Sequence, residues 1–255
     1  MTAVLETEHL TLRFGGVNAL SDLTLQIDEK SLHSVIGPNG AGKTSFFNCL
    51  TGYYRPTSGV VRFQGSDITG LGAAKVAALG IRRTFQNIRV FPKMSVLENV
   101  LAGGHLRATA NLLSITVGGP GFRQSERELH EEAMASLEFV GLADQFNNLA
   151  GDLPYGMRKR MELARVLIAN PIIVLLDEPA AGVSSVEREE LSRVIRRIHD
   201  NGTCVVMIEH DVDLVMEIAT EVTVLDNGRI IASGLPEEVR NDADVIRAYM
   251  GRDRK

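Results

Sequence analysis

The sequence predicts an α/β fold built around a buried, largely parallel sheet. Three observations carry that reading. An apolar run, Leu32–Ile36, feeds a glycine-rich loop that opens a helical pattern at Phe46, Phe47 and Leu50. Two further apolar runs, Ile172–Leu176 and Thr203–Ile208, are each followed by helical periodicity, over Val186–His199 and Val212–Ala219, as strands buried on both faces require. The chain has 255 residues, of which 44% are hydrophobic, enough for one large α/β domain or two closely joined lobes.

Val4–Phe14 and Ala19–Ile27 carry alternating Leu, Ile and Val on either side of Gly15-Gly16 and read as strands. Gly59–Phe63 and Ile81–Phe85 read as further strands. The middle differs. Val96–Leu101 has the pattern of a short helix, and residues 107–124 are rich in Gly, Ser, Thr and Ala. Ser125–Val140 then repeats Leu129, Ala133, Leu137 and Val140 at helical spacing, with Glu and Arg outside. A mostly helical segment, about 95–165, thus interrupts a core made of residues 1–94 and 166–235. Near the end, Val222–Leu225 and Arg229–Ser233 flank Asp226-Asn227-Gly228, a hairpin turn. The tail, 236–255, holds a short helix over Asp244–Met250.

The net charge is −5, and the visible basic run is the short Arg158-Lys159-Arg160, which argues against a nucleic-acid partner. No apolar stretch approaches the roughly 18–20 residues of a membrane span. The N-terminus lacks a basic-then-apolar leader. The expectation is a cytosolic protein whose membrane contact runs through a partner. Cys49 and Cys204 sit in apolar surroundings with no Cys-x-x-Cys, so they read as buried, reduced thiols.

Residues 37–44, Gly-Pro-Asn-Gly-Ala-Gly-Lys-Thr, form a complete G-x-x-x-x-G-K-[ST] motif between a strand and a helix. In that context the three glycines Gly37, Gly40 and Gly42 let the loop, with Pro38, Asn39 and Ala41 between them, fold into a nest of N–H donors around the β- and γ-phosphates of a nucleotide. Lys43 neutralises those phosphates, the Thr44 hydroxyl holds Mg²⁺, and Ser45 completes the set at the helix N-terminus. The strand Ile172–Leu176 delivers Asp177-Glu178-Pro179 at its carboxyl end, where α/β ligand sites lie. Asp177 suits the metal's surroundings, next to its ligands or in contact through water, and Glu178 suits the proton of an attacking water. The alternative is a pair of carboxylates capping the next helix. Thr203–Ile208 leads to Glu209-His210-Asp211. His210 can bond a γ-phosphate and orient the water, although a lone His after a strand also serves structure alone. Gln86 follows Ile81–Phe85. Its amide oxygen can ligate Mg²⁺, and its place before the helical segment makes it a hinge.

These four pieces in this order resemble the ATP-binding cassette (ABC) family across nearly the whole chain. The resemblance implies a P-loop NTPase fold with a RecA-like core, an N-terminal antiparallel β subdomain and a helical subdomain. It puts Gln86 at the family's Q-loop and His210 at its switch histidine. Phe14 falls at the aromatic that stacks on adenine, with a core aromatic on the first strand as the alternative. Leu153, Pro154, Tyr155, Gly156 and Met157 fall at the signature, usually Leu-Ser-Gly-Gly-Gln, and Arg158–Arg165 resembles the family's continuation. The family pairs two cassettes head to tail, each ATP lying between one chain's loop and the other's signature. In sequence, this turn has no obvious ligand of its own. Pro154 replaces a serine and offers neither hydroxyl nor N–H, a loss of about 1 kcal/mol for one neutral hydrogen bond. Tyr155 and Met157 depart as well, and Ser184 stands where Asp or Asn is usual.

Arg13-Phe14-Gly15-Gly16, Arg83-Thr84-Phe85-Gln86, Leu153-Pro154-Tyr155-Gly156, Glu178-Pro179-Ala180-Ala181-Gly182 and the tail Val245–Gly251 are similar to the LivG-type ATPases of branched-chain amino-acid importers. That resemblance implies an ATP-hydrolysing motor subunit using ATP and Mg²⁺, peripheral on the cytoplasmic face of the inner membrane. Its implied partners are a second ABC ATPase subunit (a paralogue), two membrane permease subunits and, indirectly, a solute-binding protein. The surface of residues 87–110 is the candidate groove for permease helices. Urea- and amide-type importer cassettes share most of these stretches and stay open. So do a soluble ABC ATPase outside transport and a cassette that binds ATP without hydrolysing it.

Overall fold

The computed structural model describes residues 3–86, 88–104 and 120–250. Its contacts divide the chain into two compact units. One is Met1–Arg83, Ile172–Pro179 and Ile195–Lys255; the other is Thr84–Pro171 and Ala180–Val194.

The first unit opens with β1 (Ala3–Phe14) and β2 (Val17–Asp28), antiparallel across the Gly15-Gly16 turn. Next come β3 (Leu32–Ile36), α1 (Lys43–Leu50), β4 (Ser58–Phe63), β5 (Ser66–Asp67), α2 (Ala73–Ala78) and β6 (Ile81–Arg83). After the second unit the chain returns with β7 (Ile173–Asp177), β8 (Cys204–Ile208), β9 (Glu221–Asp226) and β10 (Arg229–Gly234). Four strands form an antiparallel sheet, β2-β1-β4-β5, and six form the order β10-β9-β3-β8-β7-β6. In the larger sheet β3, β6, β7, β8 and β9 run parallel, and β10 pairs antiparallel with β9. Every residue of β3, β7 and β8 is buried, which is why these strands read as unbroken apolar runs. Helix α1 joins the two sheets in one core. Its Phe46, Phe47 and Leu50 cluster with Leu10, Leu20 and Ile27 of the small sheet and with Val35, Leu175 and Val206 of the large one.

An expected strand boundary moves. The strand read as Ile81–Phe85 ends at Arg83, because the Phe85 N–H bonds the Glu162 carboxylate and not a neighbouring strand. Helix α2 has one buried residue, Val76, too few for a visible period. Cys49 and Cys204 are buried free thiols, as expected, and burial pushes both up to about 12.

In the second unit α3 (Val96–Gly103), α4 (Pro120–Phe139) and α5 (Tyr155–Leu167) pack on one another. A capping box opens α3: Ser95 Oγ accepts from the Glu98 N–H at 3.1 Å, and the Glu98 carboxylate accepts from the Ser95 N–H at 2.6 Å. Any side chain at Gly103 would collide with the Arg165 carbonyl, so α3 and α5 approach at a glycine. The basic run is not a surface patch, since Lys159 is buried and Arg160 pairs with Glu190 at 3.2 Å. Helix α6 (Ser185–Asp200) begins in this unit and ends in the first, which is completed by α7 (Val212–Ile218), α8 (Pro236–Arg240) and α9 (Ala243–Met250). Residues 107–119 of the Gly/Ser/Thr/Ala-rich stretch lie outside the described residues, as do Asn87 and residues 105–110 of the expected permease groove.

Asn99 of α3 is fully buried. Its carbonyl accepts from the Phe91 N–H at 2.9 Å, and its amide donates to the carbonyls of Phe91 at 3.0 Å and Ser95 at 2.9 Å. Asn99→Ala strands the Phe91 N–H and should lower stability by about 1–3 kcal/mol, read as a lower urea midpoint at unchanged slope.

Candidate active site

In the first unit the central strands finish level. Ile208 at the end of β8 lies opposite both Val35 of β3 and Asp177 of β7. The 37–44 loop, Asp177-Glu178 and Glu209-His210 therefore leave the same edge of the sheet. The loop fits at two glycines. Gly37 has φ 145°, and a Cβ there would collide with the Leu225 carbonyl. Gly42 has φ 105°, and a Cβ there would lie 2.6 Å from the Ala19 carbonyl oxygen. Asn39, Gly40 and Thr44 are exposed, Pro38 and Ser45 half-buried, and Ala41 buried. The Ala41 carbonyl accepts from the Gly228 N–H at 2.9 Å, which ties the loop to the hairpin turn of β9 and β10.

Lys43 is buried and folds back on its own loop, Nζ donating to the carbonyls of Gly37 at 2.6 Å and Pro38 at 3.2 Å. Burial pulls its ammonium below the usual lysine value, while Glu178 and Asp177 act in the opposite sense. Asp177 is itself buried and receives a 2.5 Å bond from Arg83 Nη2. Arg83 also donates to Asn48 Oδ1 at 2.6 Å, and its guanidinium lies 5.5 Å from the Phe47 ring centre. Glu178 is half-buried and adopts φ 49°, a left-handed conformation that costs a non-glycine residue on the order of 1–3 kcal/mol and gathers at functional sites. The His210 side chain is 60% exposed, with Nδ1 3.8 Å from the buried Glu209 carboxylate. Phe14 is exposed and meets Tyr54 edge-on at 5.2 Å, which removes the core-aromatic alternative.

Gln86, exposed, and the 153–157 turn belong to the second unit. Leu153 is buried and its carbonyl accepts from Arg158 Nε at 2.8 Å. Pro154 caps α5 with no side-chain bond. Tyr155 is partly exposed under the Lys159 ammonium, 5.8 Å from its ring centre, and Met157 is half-buried. The expectation that this turn lacks a local ligand is corrected here. The Gly156 N–H donates to Glu187 Oε1 at 3.1 Å. The other oxygen of Glu187 accepts from the Ser184 N–H at 2.9 Å and the Ser184 hydroxyl at 2.7 Å. The Ser184-x-x-Glu187 spacing is a capping pattern visible in sequence; the reach to Gly156 is not. Arg83, Asn48 and Glu187 are the residues to which sequence reasoning assigns no role at the site.

A family model for the ABC transporter matches residues 20–181. The chain belongs to the ABC transporter family. A second model, for the branched-chain amino acid ATP-binding cassette transporter, matches residues 229–255 of this cassette. The cassette is 45% identical over 249 residues to the high-affinity branched-chain amino acid transport ATP-binding protein BraF of Pseudomonas aeruginosa, spanning 97% of this chain and 98% of the relative. It is 41% identical, over the same shares, to the LivG protein of Escherichia coli. Among solved structures, the ADP conformation of an ATP-binding cassette of an ABC transporter superposes with a TM-score of 0.87 at 31% identity, covering 99% of this chain and 100% of that one. A nucleotide-free cassette from an ABC transporter gives 0.84 at 32% identity, covering 97% and 98%. The chain is thus an ABC ATPase, and the expected α/β P-loop cassette is the fold it has. Among the described residues no helix is long and apolar enough to cross a membrane.

The bonds from Ser184 and Gly156 hold the Glu187 carboxyl below its ordinary value of 4.5, the Ser184 backbone bond first. A depressed carboxylate stabilises the fold above its unfolded value and loses that contribution as pH falls through its folded value. The Gly156 amide resonance should therefore titrate with a midpoint below 4.5, and the titration should vanish in Glu187→Gln.

Proposed function

We propose that this ABC ATPase is the motor subunit of an importer of branched-chain amino acids, peripheral on the cytoplasmic face of the membrane. The observation that carries the proposal is the gathering of the Lys43-Thr44 loop, Asp177, Glu178 and His210 on one sheet edge. The substrate class is supported by relatives that carry branched-chain amino acid transport in their names and match nearly end to end. In this reading Gly37 to Ser45 hold the triphosphate, Phe14 stacks on adenine, and Lys43 leaves its own carbonyls for the β- and γ-phosphates. Glu178 takes the proton of the attacking water, and His210, exposed at the end of β8, bonds the γ-phosphate.

The residues suit a magnesium ion, which takes one or two carboxylates and fills its remaining positions with phosphate oxygens and water. The Thr44 hydroxyl is exposed for direct ligation, Asp177 is held by Arg83 for contact through water, and Gln86 is the third candidate ligand. When bound, the ion offsets charge on the phosphates. The signature turn Leu153–Met157 faces the nucleotide of a second cassette, a paralogue. The remaining partners are two permease subunits and, through them, a solute-binding protein.

Loss of a general base slows turnover by about 10²–10⁴. Glu178→Gln should retain ATP binding, fall into that range, and accumulate ATP-bound dimers by light scattering. Hydrolysis at the parental rate would remove Glu178 from the mechanism.

A further inference from the structure

Helix α5 carries a buried ion pair that the catalytic reading leaves unused. Glu162 is 2% exposed and lies 3.5 Å from Arg165, one turn further on. Each partner grips the backbone of one loop. The Glu162 carboxylate accepts from the Phe85 N–H, and Arg165 Nη1 donates to the Arg89 carbonyl. The Arg89 guanidinium sits 5.1 Å from the Phe85 ring centre, closing the segment on itself. Gln86 lies between the two grips. The backbone of Arg165 is fixed in turn, because α3 presses Gly103 against its carbonyl.

Burial raises the Glu162 carboxyl while Arg165 and Lys159 oppose the rise. A buried pair of this kind is a poor stabiliser beside an apolar pair of the same volume, so geometry is what it contributes. Helix α5 begins at Tyr155, and at 1.5 Å per residue Glu162 stands about 10 Å from that end on one rigid rod.

We propose that Glu162 is a positioning residue for Gln86. Together with Arg165 it fastens Phe85 and Arg89, which flank Gln86 in the chain, to the helix that starts at the signature turn, so that Gln86 moves when the turn moves. This rests on the reading that gives Gln86 a part in hydrolysis.

The test is a double-mutant cycle on the full-length chain, reading steady-state MgATP hydrolysis. Glu162→Ala should lower kcat about tenfold, as a misplaced catalytic loop does, and leave KM for ATP within about twofold. Glu162→Gln keeps an acceptor for the Phe85 N–H and should lose less. In a Gln86→Ala background, Glu162→Ala should cause no further loss, since it acts through a side chain already removed. Hydrogen exchange over residues 84–90 should quicken in Glu162→Ala while that of α5 holds. Should the alanine variant not fold, Glu162→Gln and Glu162→Leu carry the same cycle. An equal fractional loss in both backgrounds, or no loss in either, overturns the positioning role while leaving Gln86 in place. A Gln86→Ala variant at the parental rate overturns the role of Gln86 itself, and the clamp falls with it.

Discussion

The level ending of β3, β7 and β8 is the constraint on which the rest of the structure depends. A one-residue slip in a strand exchanges the faces of all its side chains and would part the loop from the carboxylates. Apolar pattern cannot fix the register here, because these strands are buried on both faces. Polar cross-links pin the outer neighbours of this trio instead, β9 to β3 and β6 to β7. His33, buried in β3, bonds Thr223 of β9 at 2.8 Å and Glu221 at 3.2 Å. Thr220 Oγ1 accepts from the Leu32 N–H at 2.9 Å, and Arg83 at the end of β6 bonds Asp177 at the end of β7. Each is a buried or half-buried polar group that loses its partner if the strand slides.

The same economy governs the phosphate loop. A desolvated ammonium without acceptors would be expensive. Lys43 avoids this by donating to Gly37 and Pro38 within the field of Asp177 and Glu178. Those bonds are of the kind a phosphate oxygen replaces one for one. Asp177 is ion-paired with Arg83, whose Nη1 donates to Asn48 and Thr51 at the end of α1. One guanidinium thus links the helix that follows the loop to the strand that delivers the carboxylates.

What the sequence revealed was whatever its neighbours in the chain determine. The loop at 37–44, the buried runs of β7 and β8, the 226–228 hairpin and the amphipathic α4 are local patterns, and each was legible. The connections between them were not. Arg83 and Asp177 are 94 residues apart, and Gly156 and Glu187 are 31 apart. Neither pairing leaves a mark in composition or spacing. The sequence pattern extends β6 two residues too far because Thr84 and Phe85 have strand-forming side chains, while the partner of the Phe85 N–H is a carboxylate on a distant helix. Phe14 was ambiguous for a different reason, since an aromatic at a strand end is equally at home buried or exposed.

Pro154 and Ser184 look like two independent losses when each is set against the family pattern. The geometry joins them. Proline at the cap leaves the Gly156 N–H without a neighbouring side-chain acceptor, and Glu187 supplies one. For Glu187 to sit there its second oxygen needs donors, which the Ser184 hydroxyl and N–H provide. An ionised aspartate at 184 has no proton to give and would repel the glutamate. Pro154 and Ser184 therefore act through one carboxylate at the start of α5, the proline leaving the N–H that Glu187 accepts from and the serine holding Glu187 in place. They also give the turn an anion of its own. A phosphate reaching Gly156 must displace that carboxylate, and because Glu187 stays bonded to Ser184 at its other oxygen, the displaced group has a place to remain.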